Sequence, residues 1–172
     1  MCAPRYQDVS ATDIPEENDN DGVKARIICG SFWGKTGPVD GIAADPRYVD
    51  ISVPPGLRKT FKVEVERHAF AYLFAGSGTF DYASKPFGVL VEKEVKGEEL
   101  HLRDLSGDRT LVVFDRGDEV TVQAGPEGVR FLLVSGKPIK EPVAWHGPIV
   151  MNTHAELVQA VSELQNGSFI RS

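Results

Sequence analysis

The sequence has few cysteines and no long apolar run, and each shortage excludes a class of protein. Two cysteines among 172 residues, one of them at position 2, cannot staple a disulfide-rich secreted scaffold. No apolar stretch approaches the roughly 20 residues of a membrane-spanning helix. The first residues also lack the basic and then apolar pattern of a secretory signal. We therefore expect a soluble protein of a reducing compartment, cytoplasmic, or nuclear in a eukaryote.

An excess of positive charge is also missing. The chain has 19 Lys and Arg against 25 Asp and Glu, which gives a formal net charge of −6. The two signs are interspersed, so no basic stripe is available for a phosphate backbone. We expect neither direct binding to nucleic acid nor binding to a membrane.

Glycine and proline are plentiful instead, and they are spread along the whole chain. The 17 glycines and 11 prolines indicate many short elements joined by turns, which favours an all-β fold. Runs rich in β-branched and aromatic residues recur at intervals typical of a sandwich or barrel. We predict strands at 23–29, 48–53, 61–65, 69–76, 89–95, 110–114, 119–124 and 129–135.

These patterns divide the chain into four segments of one domain. Residues 1–22 form an extended arm, whose acidic stretch at 16–21 is interpreted as a solvated loop without a site. Residues 23–136 form the barrel, and residues 137–152 a proline-rich wrapping loop. Residues 153–167 form one amphipathic helix, with a capping box of Thr153 and Glu156 and a stop at Gly167.

Period-two alternation predicts which side chains point into the barrel. The run at 69–76 is almost continuously apolar, which predicts a central strand covered on both faces. Cys29 follows two isoleucines and is interpreted as a small buried hydrophobe. The predicted inward residues are all apolar: Val49, Ile51, Phe61, Val63, Val65, Val120, Val122, Phe131 and Leu133.

Four longer motifs resemble the pirin family. They are PRYQD at 4–8, the Ile14-Pro15 pair, GVRFLLVSG at 128–136 and EPVAWHGPIVMNT at 141–153. Pirins are bicupins, and the resemblance places this chain at their C-terminal half, without the first barrel. It implies a cupin-type, jelly-roll-like antiparallel β-barrel with one C-terminal helix. In that family iron is held in the first barrel by three histidines and a carboxylate, so we expect no cofactor in this chain.

The general cupin metal pattern can be tested on the barrel that is present. It needs a glycine, His-x-His and an acid, and later Pro-x-Gly-x-x-His. Gly56 fits, but the histidine positions hold Lys62, Glu64 and, after Pro126-Glu127-Gly128, Phe131. His68, with Glu64 or Glu66, is left as a weak candidate ligand, fewer than the three or four donors that a transition metal requires. We therefore predict no metal site and no catalytic residue.

Three residues are candidates for an interaction surface. Arg130 either reaches an acidic ligand or partner, or is an ordinary outward-facing arginine of its strand. Trp145 and His146 either form part of a partner surface or anchor their loop by packing of the indole. His101 and His154 are interpreted as surface residues, and His68 as a strand-end residue bonded to nearby backbone.

Three functions remain open. The first is a metal-free, non-catalytic interaction module whose partner is another protein, the missing N-terminal barrel or a second copy of the chain. The second, implied by the resemblance, is part of an iron-dependent quercetin 2,3-dioxygenase, without activity from this chain alone. The third is a metal-free barrel that binds a small molecule, which a tightly filled apolar interior would contradict.

Overall fold

A computed structural model describes residues 6–81, 107 and 109–170. The predicted all-β fold with a single helix is confirmed within these residues. The predicted strand at 89–95 and His101 lie outside them. The strands and the helix are β1 Glu16–Asn18, β2 Lys24–Cys29, β3 Ser31–Phe32, β4 Lys35–Thr36, β5 Arg47–Val53, β6 Arg58–Lys62, β7 His68–Phe80, β8 Thr110–Val113, β9 Glu119–Gly136, β10 Ala144–His146, β11 Ile149–Met151 and α1 His154–Gln165.

Seven of the strands form one antiparallel sheet. Its order is β1-β2-β5-β9-β7-β8, and β6 also pairs with β9. The long strand β9 therefore touches three partners: its first half pairs with β6, its second half with β5, and both halves with β7. The short strands β3 and β4 form a separate hairpin.

The alternating strands place their apolar residues in a common core. Eight of the nine predicted inward residues are buried, with Val49, Ile51, Val122 and Phe131 fully so. The prediction is wrong for Val65, which is 45% exposed. Strand β6 ends at Lys62, and Val65 lies in the turn that the bond from the Arg67 N–H to the Glu64 carbonyl closes. The alternation of apolar and polar residues in the sequence therefore continues beyond the end of the strand.

Strand β7 is central, as predicted, but only one of its faces is buried. Ala69, Ala71 and Leu73 face the core, whereas Phe70 and Tyr72 on the other face are exposed. The continuous apolar run therefore forms a strand that pairs with β8 and β9 and has one exposed face. The prediction that both faces are covered is wrong.

The strands predicted at 119–124 and 129–135 are one strand, β9, which bends at Pro126-Glu127-Gly128. Strand β9 continues through 18 residues, and its inward set changes from even positions before the bend to odd positions after it. Gly128 adopts a positive φ of 81° there, and Gly76 on β7 faces it with a φ of 70°. A Cβ on Gly76 would lie 2.2 Å from the Gly128 carbonyl oxygen, so only glycine allows the two backbones to approach this closely.

The acidic part of the arm is also more ordered than predicted. Residues 16–18 form the edge strand β1, which pairs with β2. Asp19 and Asp21 both bind the ammonium group of Lys59, and Asp19 accepts bonds from the Asp21 and Val23 N–H groups. The interpretation of 16–21 as a solvated loop is therefore wrong.

Residues 139–172 form a second compact unit, distinct from residues 1–138. The proline-rich segment contains an unpredicted hairpin of β10 and β11. Helix α1 begins with the predicted capping box, in which Thr153 and Glu156 bond to each other's backbone N–H groups. It buries Leu157 and Ala160, whereas Leu164 near its end is 53% exposed. None of the described helices is long and apolar enough to span a bilayer.

Candidate functional site

The positions where the cupin pattern requires metal ligands do not converge. Gly56 lies in the turn after β5 with a φ of 68°. This positive φ favours glycine, the residue that the pattern requires at this position. Lys62 is the exposed last residue of β6, Glu64 is exposed in the turn that follows, and Phe131 is fully buried in β9. The turn geometry of the pattern is kept, but its donor atoms are not.

An aromatic cluster surrounds Phe131. Its ring meets Phe61 edge-on at 6.1 Å between centroids and Phe80 edge-on at 5.4 Å. Phe114 extends the cluster at 5.6 Å from Phe80, and Phe32 extends it at 6.2 Å from Phe61. Edge-to-face contacts at these distances stabilise aromatic pairs beyond the area they bury. The position of the third histidine of the pattern is thus occupied by a ring packed in the core.

Glu64 belongs to an ion-pair network. Its carboxylate accepts a bond of 2.5 Å from Nε of Arg67 and a bond of 2.9 Å from Nη2 of Arg47. Arg67 also binds Asp45, which pairs with Lys137 at 2.8 Å. The bond from Arg67 outweighs partial burial and lowers the pKa of Glu64, and bonds from Lys137 and Arg67 lower the pKa of Asp45. These carboxylates are already neutralised by cations.

The remaining weak candidates are no better placed. His68 is the exposed first residue of β7, opposite Gly136. Glu66 is exposed and lies 3.9 Å from Arg116. Within the described residues no group of three or more His, Cys, Asp and Glu side chains is arranged to hold a metal ion. The described residues therefore do not form the set of three histidines and a carboxylate that holds iron in the first barrel of the family that the chain resembles.

Arg130 lies on the outer face of the sheet and is bonded to other residues of the chain. It donates two bonds to the carboxylate of Asp50, from Nε at 2.9 Å and from Nη2 at 2.6 Å. Its guanidinium also lies 4.9 Å from the centroid of the Phe74 ring. The bonds to Asp50 raise the pKa of Arg130. Arg130 is therefore partnered within the chain and still half-exposed.

Trp145 and His146 lie in the second compact unit. Trp145 is 74% exposed, and its Nε1 donates a bond of 2.6 Å to the Gly147 carbonyl. This bond fixes the indole without burying it, so packing of the indole does not anchor the loop. With Leu157, Val158 and other residues of α1, Trp145 and His146 line a groove of about 440 Å³. His154, predicted at the surface, is exposed and also lines this groove.

Comparison with known proteins assigns these features to a family. The model of the pirin C-terminal cupin domain matches residues 48–170, which is most of the chain. A pirin-like protein of Caulobacter vibrioides is 35% identical over 170 residues. The chain belongs to the pirin family. Pirin-1 of Arabidopsis thaliana is 32% identical over 168 residues.

The relatives are about twice as long as the chain. The match covers 98% of this chain and 54% of the Caulobacter protein, and 96% of this chain and 52% of the Arabidopsis pirin. A Thermoplasma acidophilum protein named as a candidate quercetin 2,3-dioxygenase is 27% identical, over all of this chain and 60% of its own length. The chain thus spans about half the length of these curated pirins and pirin-like relatives.

Solved structures show that the fold is that of a cupin. A quercetin 2,3-dioxygenase from Acinetobacter baumannii superposes with a TM-score of 0.74 at 23% identity. The superposition covers 96% of this chain and 50% of that protein. The predicted cupin architecture is therefore confirmed at the level of fold.

Sequence reasoning missed the partners of the charged residues. The sequence does not single out Asp50, Arg67 or Asp45, although each forms ion pairs with candidate residues or their partners. Asp50 alternates with the buried Val49 and Ile51, which marks it as outward-facing, and such a residue is expected to be solvated. Its pairing with Arg130 depends on the register of β5 against β9, which local patterning does not specify.

Proposed function

We propose that this chain is a metal-free cupin that serves as an interaction module and does not oxidise a substrate by itself. The observation that carries the proposal is the buried ring of Phe131. It stands where the cupin pattern requires a histidine, packed edge-on against Phe61 and Phe80. A phenyl ring cannot donate a lone pair to a metal, and its removal would leave an apolar cavity.

The chemistry of the other positions supports the same conclusion. Lys62 is a cation, and the carboxylate of Glu64 is bound by Arg47 and Arg67. Recruiting Glu64 to a metal would require breaking both ion pairs, and Lys62 at the neighbouring ligand position would repel the ion. These positions therefore supply no set of donors for a metal-dependent step.

The partner that we propose is a metal-bearing first barrel of the kind found in pirins. The chain spans about half the length of its relatives, so a region of similar size accompanies this half in those proteins. The second compact unit exposes large apolar side chains, among them Val143, Trp145 and Val158. Exposed apolar surface that includes a tryptophan is typical of a protein–protein contact.

A binding experiment tests the module. The separately expressed N-terminal half of the Caulobacter relative is titrated into this chain by calorimetry. We expect Trp145→Ala to weaken binding about thirtyfold, which corresponds to a hot-spot residue worth roughly 2 kcal/mol. Tyr72→Ala, at an exposed aromatic residue of the other compact unit, is the control and should bind as the wild type does. Equal binding by both variants would contradict the proposed surface.

A second candidate function is that the chain forms one half of a dioxygenase. Relatives and structural neighbours named for quercetin 2,3-dioxygenase favour it. Turnover of quercetin is measured with the iron-loaded N-terminal half, with this chain, and with both. We expect no turnover by this chain alone. A rate that rises at least tenfold on mixing would favour the dioxygenase, whereas binding without a rise would favour the interaction module.

A further inference from the structure

A polar pocket lies on the outer face of the sheet, within the first compact unit. Its volume is about 360 Å³, which is within the range of small-molecule sites. Charged and hydroxyl side chains from four neighbouring strands line it: Glu16, Lys24, Arg26, Asp50, Ser52 and Arg130. Ala11 and Ile14, from the segment before β1, add an apolar wall.

Strand register brings these side chains together. One cross-strand row runs from Glu16 through Arg26 to Asp50. The adjacent row runs from Lys24 through Ser52 to Arg130. Because side chains alternate along a strand, both rows lie on the face opposite the buried core. The pocket is therefore built on a paired sheet, whose backbone is fixed.

The cations of the pocket differ in how they are held. Arg130 is fixed by its two bonds to Asp50 and by the ring of Phe74. Arg26 is half-buried, and neither it nor Lys24 forms an ion pair or side-chain hydrogen bond within the described part of the chain. A half-buried guanidinium without a partner loses part of its hydration, and an anion that bound it would restore those bonds.

We propose that this pocket binds a small organic monocarboxylate. The carboxylate accepts bonds from the guanidinium of Arg26 and the hydroxyl of Ser52, while Lys24 adds a positive charge. The apolar body of the ligand lies against Ala11 and Ile14. Asp50 does not contact the ligand in this arrangement and positions Arg130 as the opposite wall.

The balance of charge selects a monoanion. Three cations and two carboxylates line the pocket, so its formal charge is +1 in a chain whose net charge is −6. One carboxylate neutralises this charge. A phosphate monoester, with a charge of about −1.5 to −2, would place excess negative charge beside Glu16 and Asp50.

The test uses benzoate as the probe and benzamide as its uncharged match. Binding to the full chain is followed by amide chemical shifts and by calorimetry at low salt. We expect benzoate to bind, to shift the amides of residues 24–26, 52 and 130, and to bind at least tenfold more tightly than benzamide. Arg26→Gln should weaken benzoate at least tenfold, which corresponds to about 1.4 kcal/mol, because it removes a charge-assisted hydrogen bond.

Arg116→Gln is the matched control, because it removes the same charge from an exposed position that does not line the pocket. It should leave benzoate binding unchanged. Ser52→Ala should weaken benzoate severalfold, and it keeps the test valid if Arg26→Gln alters the fold. The proposal is overturned if benzoate and benzamide bind alike, if Arg116→Gln weakens benzoate as much as Arg26→Gln does, or if inorganic phosphate binds more tightly than benzoate.

Discussion

Replacement of Phe131 by alanine measures how tightly the interior is filled. Phe131 is 0% exposed and makes two edge-on aromatic contacts, with Phe61 and with Phe80. Truncation of such a phenylalanine costs about 3 to 5 kcal/mol, because the transfer free energy is lost and a cavity remains. We expect a loss of about 4 kcal/mol in the free energy of unfolding. From a typical domain stability of about 5 to 15 kcal/mol, about 1 to 11 kcal/mol would then remain.

The assay is urea unfolding followed by tryptophan fluorescence. A Trp145→Phe background leaves Trp33, which lies 6.2 Å from the ring of Phe61, as the reporter of the first compact unit. With a denaturant slope of about 2 kcal/mol/M, the expected loss moves the midpoint by about 2 M. Phe131→Leu, which keeps most of the volume, should cost less than about 1.5 kcal/mol.

Leu132→Ala is the matched control on the opposite, half-exposed face of the same strand. It removes a side chain that is only partly buried and should cost about 1 kcal/mol. If Phe131→Ala costs no more than this control, the ring does not fill a packed interior. The packed ring would then no longer exclude a ligand position at residue 131.

Three further predictions concern the ion pairs and the helix cap. A double-mutant cycle of Asp50→Asn and Arg130→Gln should give a coupling of about 1 to 2 kcal/mol in urea unfolding, because the carboxylate is buried and the guanidinium is not; a coupling near zero would contradict this. The folded-state pKa of Glu64 lies below its ordinary value of 4.5, so this group stabilises the fold above that pH, and the stability is lost as the pH falls through the folded-state pKa. Glu64→Gln should therefore be less stable than wild type by about 0.5 to 1 kcal/mol at pH 7, and the difference should vanish in acid; a constant difference would exclude the ion pair as its cause. Thr153→Ala should lower the protection of the α1 amides from exchange by about 1 kcal/mol, whereas Thr153→Ser should not. Equal protection in both variants would show that the hydroxyl of residue 153 does not stabilise the helix.

Local patterning predicted the elements whose environment is regular. Strand β5 and helix α1 are bounded by turns or caps and alternate or repeat with the expected period. The predicted strand at 61–65 coincides with β6, Arg58–Lys62, only at residues 61 and 62. Val65 continues the alternation in the sequence, but the strand ends before it because the backbone enters a hydrogen-bonded turn. The sequence predicts two strands, at 119–124 and 129–135, yet tertiary pairing with β7 carries β9 through Pro126 and Gly128 as a bend.

The candidate sites were predictable only in part. The mismatch at Lys62, Glu64 and Phe131 is visible in the sequence, since residue types alone decide whether donor atoms exist. The pairing of Arg130 with Asp50 joins residues 80 positions apart. It depends on strand register, which is specified by packing across the whole sheet. Trp145 is exposed on the hairpin of β10 and β11, which the sequence does not predict because its segment is rich in proline.

Metal content of the purified chain tests the central claim most directly. The chain is expressed with iron in the medium, its oligomeric state is checked by light scattering, and bound iron, zinc and nickel are measured by mass spectrometry beside the full-length Caulobacter relative. We predict far less than one metal ion per chain for this protein. One tightly held metal per chain would contradict the account of Lys62, Glu64, His68 and Phe131.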